Sequence, residues 1–359
     1  MKAIDYGRLA CDTMMSTYKE EWELPPSQRF HYHQGVFLSG MEKIYLATGE
    51  KKYYDFIKRW VDFFVQPDGE ICRLQNRTEL DDWQASRLLF NLYKETGDKR
   101  YKAVLDRAVK YITAWPVTEQ KGFWHMYDKP HQMWLDGLYM AGSVLVPYAA
   151  QFGRTDLFDI MHRQMLIMFE YIRDEKTGLL YHACDFSKKM PWADPETGRS
   201  SMFWGRAMGW VVLEIADMLD DIPGNYERRD DFIKNLSSLL KAICRYQDNN
   251  TGLWYQVVDK PGALGNWTEA SCSALFAYAL HKAVRMGYIE NKYKENAQKA
   301  YNGLIDGVTV NDGKLTLPSI CIGTMVGDYE YYVTRPSRSN DLHGMGAFIM
   351  MCEEFNRDV

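Results

Sequence analysis

The feature that most restricts the fold of this sequence is an alternation between two kinds of helical segment. The first kind is amphipathic. Tyr101, Val104, Leu105, Ala108, Val109 and Ile112 fall at the i, i+3, i+4, i+7, i+8, i+11 spacing that puts one apolar stripe on a helix. Phe232, Ile233, Leu236, Leu239, Leu240 and Ile243 follow a similar pattern, and the opposite face of both segments is charged. The second kind is rich in Gly, Ala, Ser and aromatics and poor in charge. It reads "YHQGVFLSG" from Tyr32, "DDWQASRLLF" from Asp81, "WLDGLYMAG" from Trp134, "WGRAMGWVV" from Trp204, "WTEASCSAL" from Trp267 and "DLHGMGAFI" from Asp341. A helix that is apolar nearly all round is buried on every side, and small residues let its neighbours come close.

Six amphipathic segments, starting near Ile4, Lys51, Arg100, Thr155, Arg228 and Asn291, each precede one of the six apolar ones. The turns between them rhyme as well: "GFWHMYD", "TGLLYHACD" and "TGLWYQVVD". Loose self-similarity of this kind marks a repeat architecture. Six hairpins, outer helix then inner helix, predict an all-α fold, an (α/α)6 barrel, as one domain over residues 1–359. The rival is an open superhelix, which usually shows more regular repeats and a polar cap at each end. In a closed ring, the loops entering the inner helices cap one end of the barrel. Those loops carry the Trp, His, Asp and Arg residues.

Bulk properties exclude several classes. The net charge is -5 and no Lys/Arg run forms a patch, so no nucleic-acid partner is expected. No apolar stretch reaches the roughly 18 residues of a membrane span, and no signal-peptide pattern opens the chain. The seven Cys are scattered without a CxxC, which fits reduced thiols in a cytoplasm. A monomer or weak homo-oligomer is expected. HExxH, DxDxDG, P-loop, dinucleotide and GxSxG patterns are missing, so neither metal nor cofactor is expected. The 24 Tyr and 11 Trp can fill a core, and they also suit stacking against the apolar face of a sugar ring.

The polar groups at inner-helix starts are His31, Tyr32, His33 and Gln34; Asp81, Asp82 and Gln84; His125, Trp134 and Asp136; His182, Arg206 and Trp210; Trp267 and Glu269; and Arg338, Asn340, Asp341 and His343. Taken singly, each has an ordinary reading. Asp81 and Asp341 can be N-caps, His33 and His343 core histidines, and Trp134, Trp210 and Trp267 core tryptophans. Arg206 and Asp136 resist this treatment. A guanidinium on an uncharged inner helix needs an anion, and a carboxylate inside an apolar run needs a partner. Together these residues describe an aromatic-lined cavity with carboxylates and an arginine, suited to acid–base work on an acidic carbohydrate. Asp81 and Asp136 on adjacent inner helices can form the carboxyl pair that ordinary glycosidases use.

The strings "HYHQGVFLSG", "ELDDWQA", "GFWH", "HQMWLDGLYM", "GLLYHACDFSKKMPWAD", "FWGRAMGW", "ICRYQDNNTGLWYQVVDK" and "SNDLHGMGAFI" resemble the unsaturated rhamnogalacturonyl hydrolases, glycoside hydrolase family 105. The resemblance runs from about Tyr32 to Phe348 and implies an (α/α)6 barrel. It also implies an unusual reaction on a small acidic oligosaccharide. The substrate ends in a uronate with a C4=C5 double bond, joined to rhamnose. Protonating C4 makes an oxocarbenium ion at C5, water adds there, and the hemiketal opens and releases rhamnose. By the resemblance, Asp136 is the catalytic acid. A Trp-lined setting is expected to raise its pKa and keep it protonated. Tyr32, Asp81, His125, Trp134, His182, Arg206 and Trp210 are implied as substrate-binding residues, with Arg206 expected to face the substrate carboxylate. His131 stands where the resemblance has an aromatic, which bears on the leaving sugar. Two other readings are an unsaturated glucuronyl hydrolase acting on another polysaccharide fragment and a non-catalytic sugar-binding barrel.

Overall fold

In the computed structural model, which describes residues 1–72 and 78–357, the two segment types become two concentric rings. The outer helices are α1 (Ala3–Thr17), α3 (Lys51–Phe64), α6 (Lys99–Thr113), α8 (Asp156–Tyr171), α10 (Arg229–Cys244) and α12 (Lys294–Gly307). The inner helices are α2 (Tyr32–Thr48), α7 (Asp136–Phe152), α9 (Gly205–Asp221), α11 (Ala270–Arg285) and α14 (Leu342–Glu354). The remaining inner position is shared by α4 (Asp81–Gln84) and α5 (Leu88–Thr96), joined by a 3-10 turn. A short helix, α13 (Tyr329–Val333), lies in the long connection before α14. The chain is an (α/α)6 barrel, with hydrophobic burial as its main driving force.

The burial pattern follows from the sequence. On α6, the six residues of the apolar stripe are the buried ones. On α7, by contrast, thirteen of seventeen positions are buried, including Asp136. Glycines fix how closely inner helices approach. A methyl group on Gly346 of α14 would stand 2.5 Å from the Val36 carbonyl oxygen of α2, and one on Gly40 of α2 would stand 2.9 Å from the Gly346 oxygen. The first and last inner helices therefore meet backbone to backbone. That seam closes the ring and settles the question against an open superhelix.

Strands are few and short. β1 (Gln132–Trp134) pairs antiparallel with β2 (Ala183–Asp185), β3 (Thr309–Asn311) with β4 (Lys314–Thr316), and β5 (Ile320–Cys321) with β6 (Ser337–Arg338). One boundary differs from expectation. Trp134 belongs to β1, so the helix opens at Asp136 itself. The β1–β2 register sets Trp134 opposite Ala183, one residue from His182. Deeper in the ring, Tyr139 of α7 and Trp210 of α9 stack with centroids 4.9 Å apart and planes at 11°. Both are buried, which fills the interior one turn below Asp136 and Arg206. A separate cavity of about 200 Å³ lies beyond this stack, lined by Lys43, Arg87, Glu214 and Asp217 among others. Among the described residues no helix is long and apolar enough to cross a membrane.

Candidate active site

The inner-helix starts converge at one end of the barrel, where the β1–β2 ribbon sets their spacing. The Leu135 amide donates to the His182 carbonyl (3.1 Å), which ties the start of α7 to the β2 approach. His182 Nε2 then lies 3.2 Å from Asp136 Oδ2. His125 stacks on Trp134 at 4.4 Å and 16°, and its Nε2 is 3.5 Å from Asp81 Oδ1. Tyr32 heads α2, and its phenol is pushed well up, by burial first and then by the charges of Asp81 and others. The structure thus brings Tyr32, Asp81, His125, Trp134, Asp136 and His182 together.

The two carboxyls are shifted in opposite directions. For Asp136, burial favours the neutral form. The hydrogen bond from His182 leads the opposing influences, followed by the electrostatic pull of the His182 and His125 imidazoles, and the carboxyl is held below its usual range. Asp81 has less support, with His125 Nε2 3.5 Å away and the Arg29 charge pulling against larger influences. Burial, then the charges of Glu79, Asp136 and Asp82, push it well above the usual range. The expectation that this setting raises the Asp136 pKa is therefore reversed: Asp136 is drawn down beside His182, and Asp81 is the carboxyl pushed up. His125 is pushed down to about 4 by burial and so is neutral at physiological pH. Asp81 Oδ1, His125 Nδ1 and the Trp204 indole nitrogen are buried without hydrogen-bond partners, an arrangement that a polar ligand can complete.

Arg206 and Trp210 stand differently from expectation. The Arg206 guanidinium is buried, and both of its terminal nitrogens donate to the protein. It bonds the carbonyls of Cys321 (2.6 Å) and Ile322 (2.8 Å) and lies 3.8 Å from the buried carboxylate of Glu269. Its anion is thus a protein residue, and the guanidinium stacks over Trp204 at 4.5 Å. Trp210 is fully buried against Tyr139, one turn below the mouth. The uniform spacing of Gly, Arg and Trp in "FWGRAMGW" does not distinguish the first turn of a helix from the second. His131 is exposed at φ 65°, with its ring 5.1 Å from Trp124 at the rim.

Sequence reasoning missed Tyr332, whose hydroxyl is 2.7 Å from His182 Nδ1, and Trp204, which packs on His182 at 4.6 Å. Trp204 stands six residues before Trp210 in the same motif, at the cap of α9. Tyr332 lies in "GDYEYYV", outside every inner-helix start, and only the folded connection brings it in. Among the described residues, two donor sets have the spacing to hold a cation: His33, Asp341 and His343, and His31, Glu79 and Asp81. Each already contains an internal pair, His343 Nδ1 to Asp341 Oδ1 at 2.9 Å and His31 Nε2 to Glu79 Oε1 at 3.5 Å.

The sequence profile of Glycosyl Hydrolase Family 88 matches residues 6–358. A solved structure of a family 105 glycoside hydrolase from C. acetobutylicum superposes with a TM-score of 0.93 at 38% identity, covering 98% of this chain and 99% of that one. The unsaturated rhamnogalacturonyl hydrolase YesR of Bacillus subtilis is 28% identical over 298 residues, 81% of this chain and 79% of its own. Protein Atu3128 of Agrobacterium fabrum is 31% identical over 224 residues, 58% of this chain and 95% of its own. A hydrolase barrel, a buried carboxyl pair shifted in opposite directions and a match that runs nearly end to end agree: this chain belongs to Glycosyl Hydrolase Family 88 and is a glycoside hydrolase.

Proposed function

We propose that the protein hydrates the C4=C5 double bond of an unsaturated uronyl residue at the non-reducing end of a small acidic oligosaccharide, with rhamnose as the leaving sugar. The observation that carries this reading is the Asp81–Asp136 pair, two buried carboxyls at one mouth whose surroundings push their pKa values in opposite directions. A hydration needs one acid for C4 and one base for water, and this site offers both before substrate arrives. Asp81 carries the proton that goes to C4. C5 becomes an oxocarbenium ion, and Asp136 takes the proton of the water that adds there. The hemiketal then opens to a ketone at C5. The bond from C5 to the ring oxygen breaks, and that oxygen stays on C1 as the hydroxyl of a hemiacetal, which collapses to an aldehyde and releases the sugar as its alcohol. The net reaction consumes one water. Trp134 and His125 offer a stacked wall, and Tyr32 a hydroxyl, for the unsaturated ring.

The rhamnose assignment is supported by the likeness to YesR and by the motif combination around "MWLDGLYM". An unsaturated glucuronyl residue on another fragment is the second reading, and a non-catalytic sugar-binding barrel the third. The test is a panel of lyase-generated disaccharides, followed by loss of the ultraviolet absorbance of the conjugated double bond. Rapid decay on the rhamnose-linked disaccharide supports the proposal. Decay only on glucosamine- or glucose-linked substrates moves it to the second reading, and no decay on any of them refutes hydration.

A further inference from the structure

The connection between α12 and α14 lies over the inner-ring mouth and is tied down there. The Cys321 carbonyl accepts from both Arg206 and His343 Nε2 (2.9 Å), and the Tyr332 carbonyl accepts from Gln256 Nε2 at 3.2 Å. These bonds hold α13 so that Tyr332, fully buried, reaches His182. The Tyr332 hydroxyl is 2.7 Å from His182 Nδ1 and accepts from the Gly327 amide at 3.2 Å. Across the ring, His182 Nε2 is 3.2 Å from Asp136 Oδ2.

Proton counting gives these contacts a direction. A phenol has one hydrogen to donate and lone pairs to accept with. The Gly327 N–H occupies one lone pair, and among the described residues His182 Nδ1 is the acceptor within reach of the phenol hydrogen, so the hydrogen goes there. With Nδ1 accepting, a neutral ring carries its own hydrogen on Nε2, where Asp136 accepts it. The opposite tautomer would leave the phenol hydrogen buried without a partner and turn a bare nitrogen toward a carboxylate, and both are unfavourable.

We propose that Tyr332 is a positioning residue: its hydroxyl selects the Nε2–H tautomer of His182, and so keeps the imidazole donating to Asp136. The catalytic meaning rests on the hydration reading above, whereas the tautomer does not. The groups facing Asp136 are His182 beside β2, His125 from the loop before β1, Asp81 on α4, Tyr32 on α2 and Tyr332 on α13. Of these, Tyr332 is the one that acts on Asp136 through His182.

The test has two parts. Side-chain 15N NMR of the wild-type protein should show His182 protonated at Nε2 and bare at Nδ1. In Tyr332→Phe the tautomers should mix. The acidic limb of the kcat/KM profile should then move up by about one pH unit, because Asp136 loses a donor that favours its charged form. The kcat should fall roughly ten- to a hundredfold with KM little changed, short of the ~10⁴-fold loss seen when a triad histidine holds the wrong tautomer. Wild-type His182 protonated at Nδ1 overturns the proposal. So does a Tyr332→Phe protein that keeps both the tautomer and the acidic limb. If the variant fails to fold, the wild-type spectrum still decides. If no unsaturated disaccharide is turned over, the hydration reading fails while the NMR result stands.

Discussion

At the scale of single residues, burial acts alike on Asp81 and Asp136, and their partners decide the outcome. Asp136 has a donor in His182, whereas Asp81 faces other carboxylates. Both Asp136→Asn and Asp81→Asn should lower kcat by about 10²–10⁴, the usual worth of a positioned acid or base, with circular dichroism unchanged. The wild-type kcat/KM profile should be bell-shaped, its acidic limb set by the need for ionised Asp136 and its alkaline limb by the need for protonated Asp81. Stability separates the two variants. A carboxyl whose folded pKa is raised costs stability as pH climbs from its unfolded value, near 3.9, through its folded one. Asp81→Asn removes that cost, so its Tm should exceed wild type at pH 7, with the gain vanishing toward pH 4. Asp136 is depressed instead, so its contribution is present above the unfolded value and fades as pH falls. Asp136→Asn should therefore lower Tm at pH 7.

At the scale of elements, Arg206 and Gly346 hold pieces of chain together. Arg206→Ala leaves Glu269, which is fully buried, without its ion-pair partner and frees the Cys321 and Ile322 carbonyls. Loss of one partner of a buried pair should reduce unfolding free energy by about 3–5 kcal/mol, measurable by urea titration, and kcat should fall with it as the α13 connection loosens. Gly346→Ala should cost about 1–3 kcal/mol, since the added methyl meets the Val36 backbone, which cannot rotate away. Helices were readable before the structure because their spacing is local: five of the six outer starts fall within one residue of the observed ones, and the sixth, α12, opens three residues later because a 3-10 turn at Asn291 precedes it. The convergence of Tyr32, His125, Trp134 and Asp136 was also readable, because each opens or precedes an inner helix. What a residue faces was not readable. Nothing near Arg206 in sequence shows that the Cys321 carbonyl, 115 positions away, will take its hydrogen bond. The sign of the Asp136 shift likewise depends on His182, which arrives from 46 positions away across a strand pairing.

At the scale of the whole molecule, the ring is closed at its seam and filled along its axis. The Gly40–Gly346 contact leaves no gap between first and last inner helices, and the Tyr139–Trp210 stack separates the carboxyl pair from the cavity at the other end. A site with a floor is a dead end: a glycan can put its tip in but cannot run through. Turnover should therefore scale with the number of chain termini in a digest, falling about as the inverse of chain length at fixed sugar mass. Size-exclusion profiles of a long unsaturated oligosaccharide should lose one terminal residue per molecule and then stop, because trimming uncovers a saturated tip that has no alkene left to accept a proton.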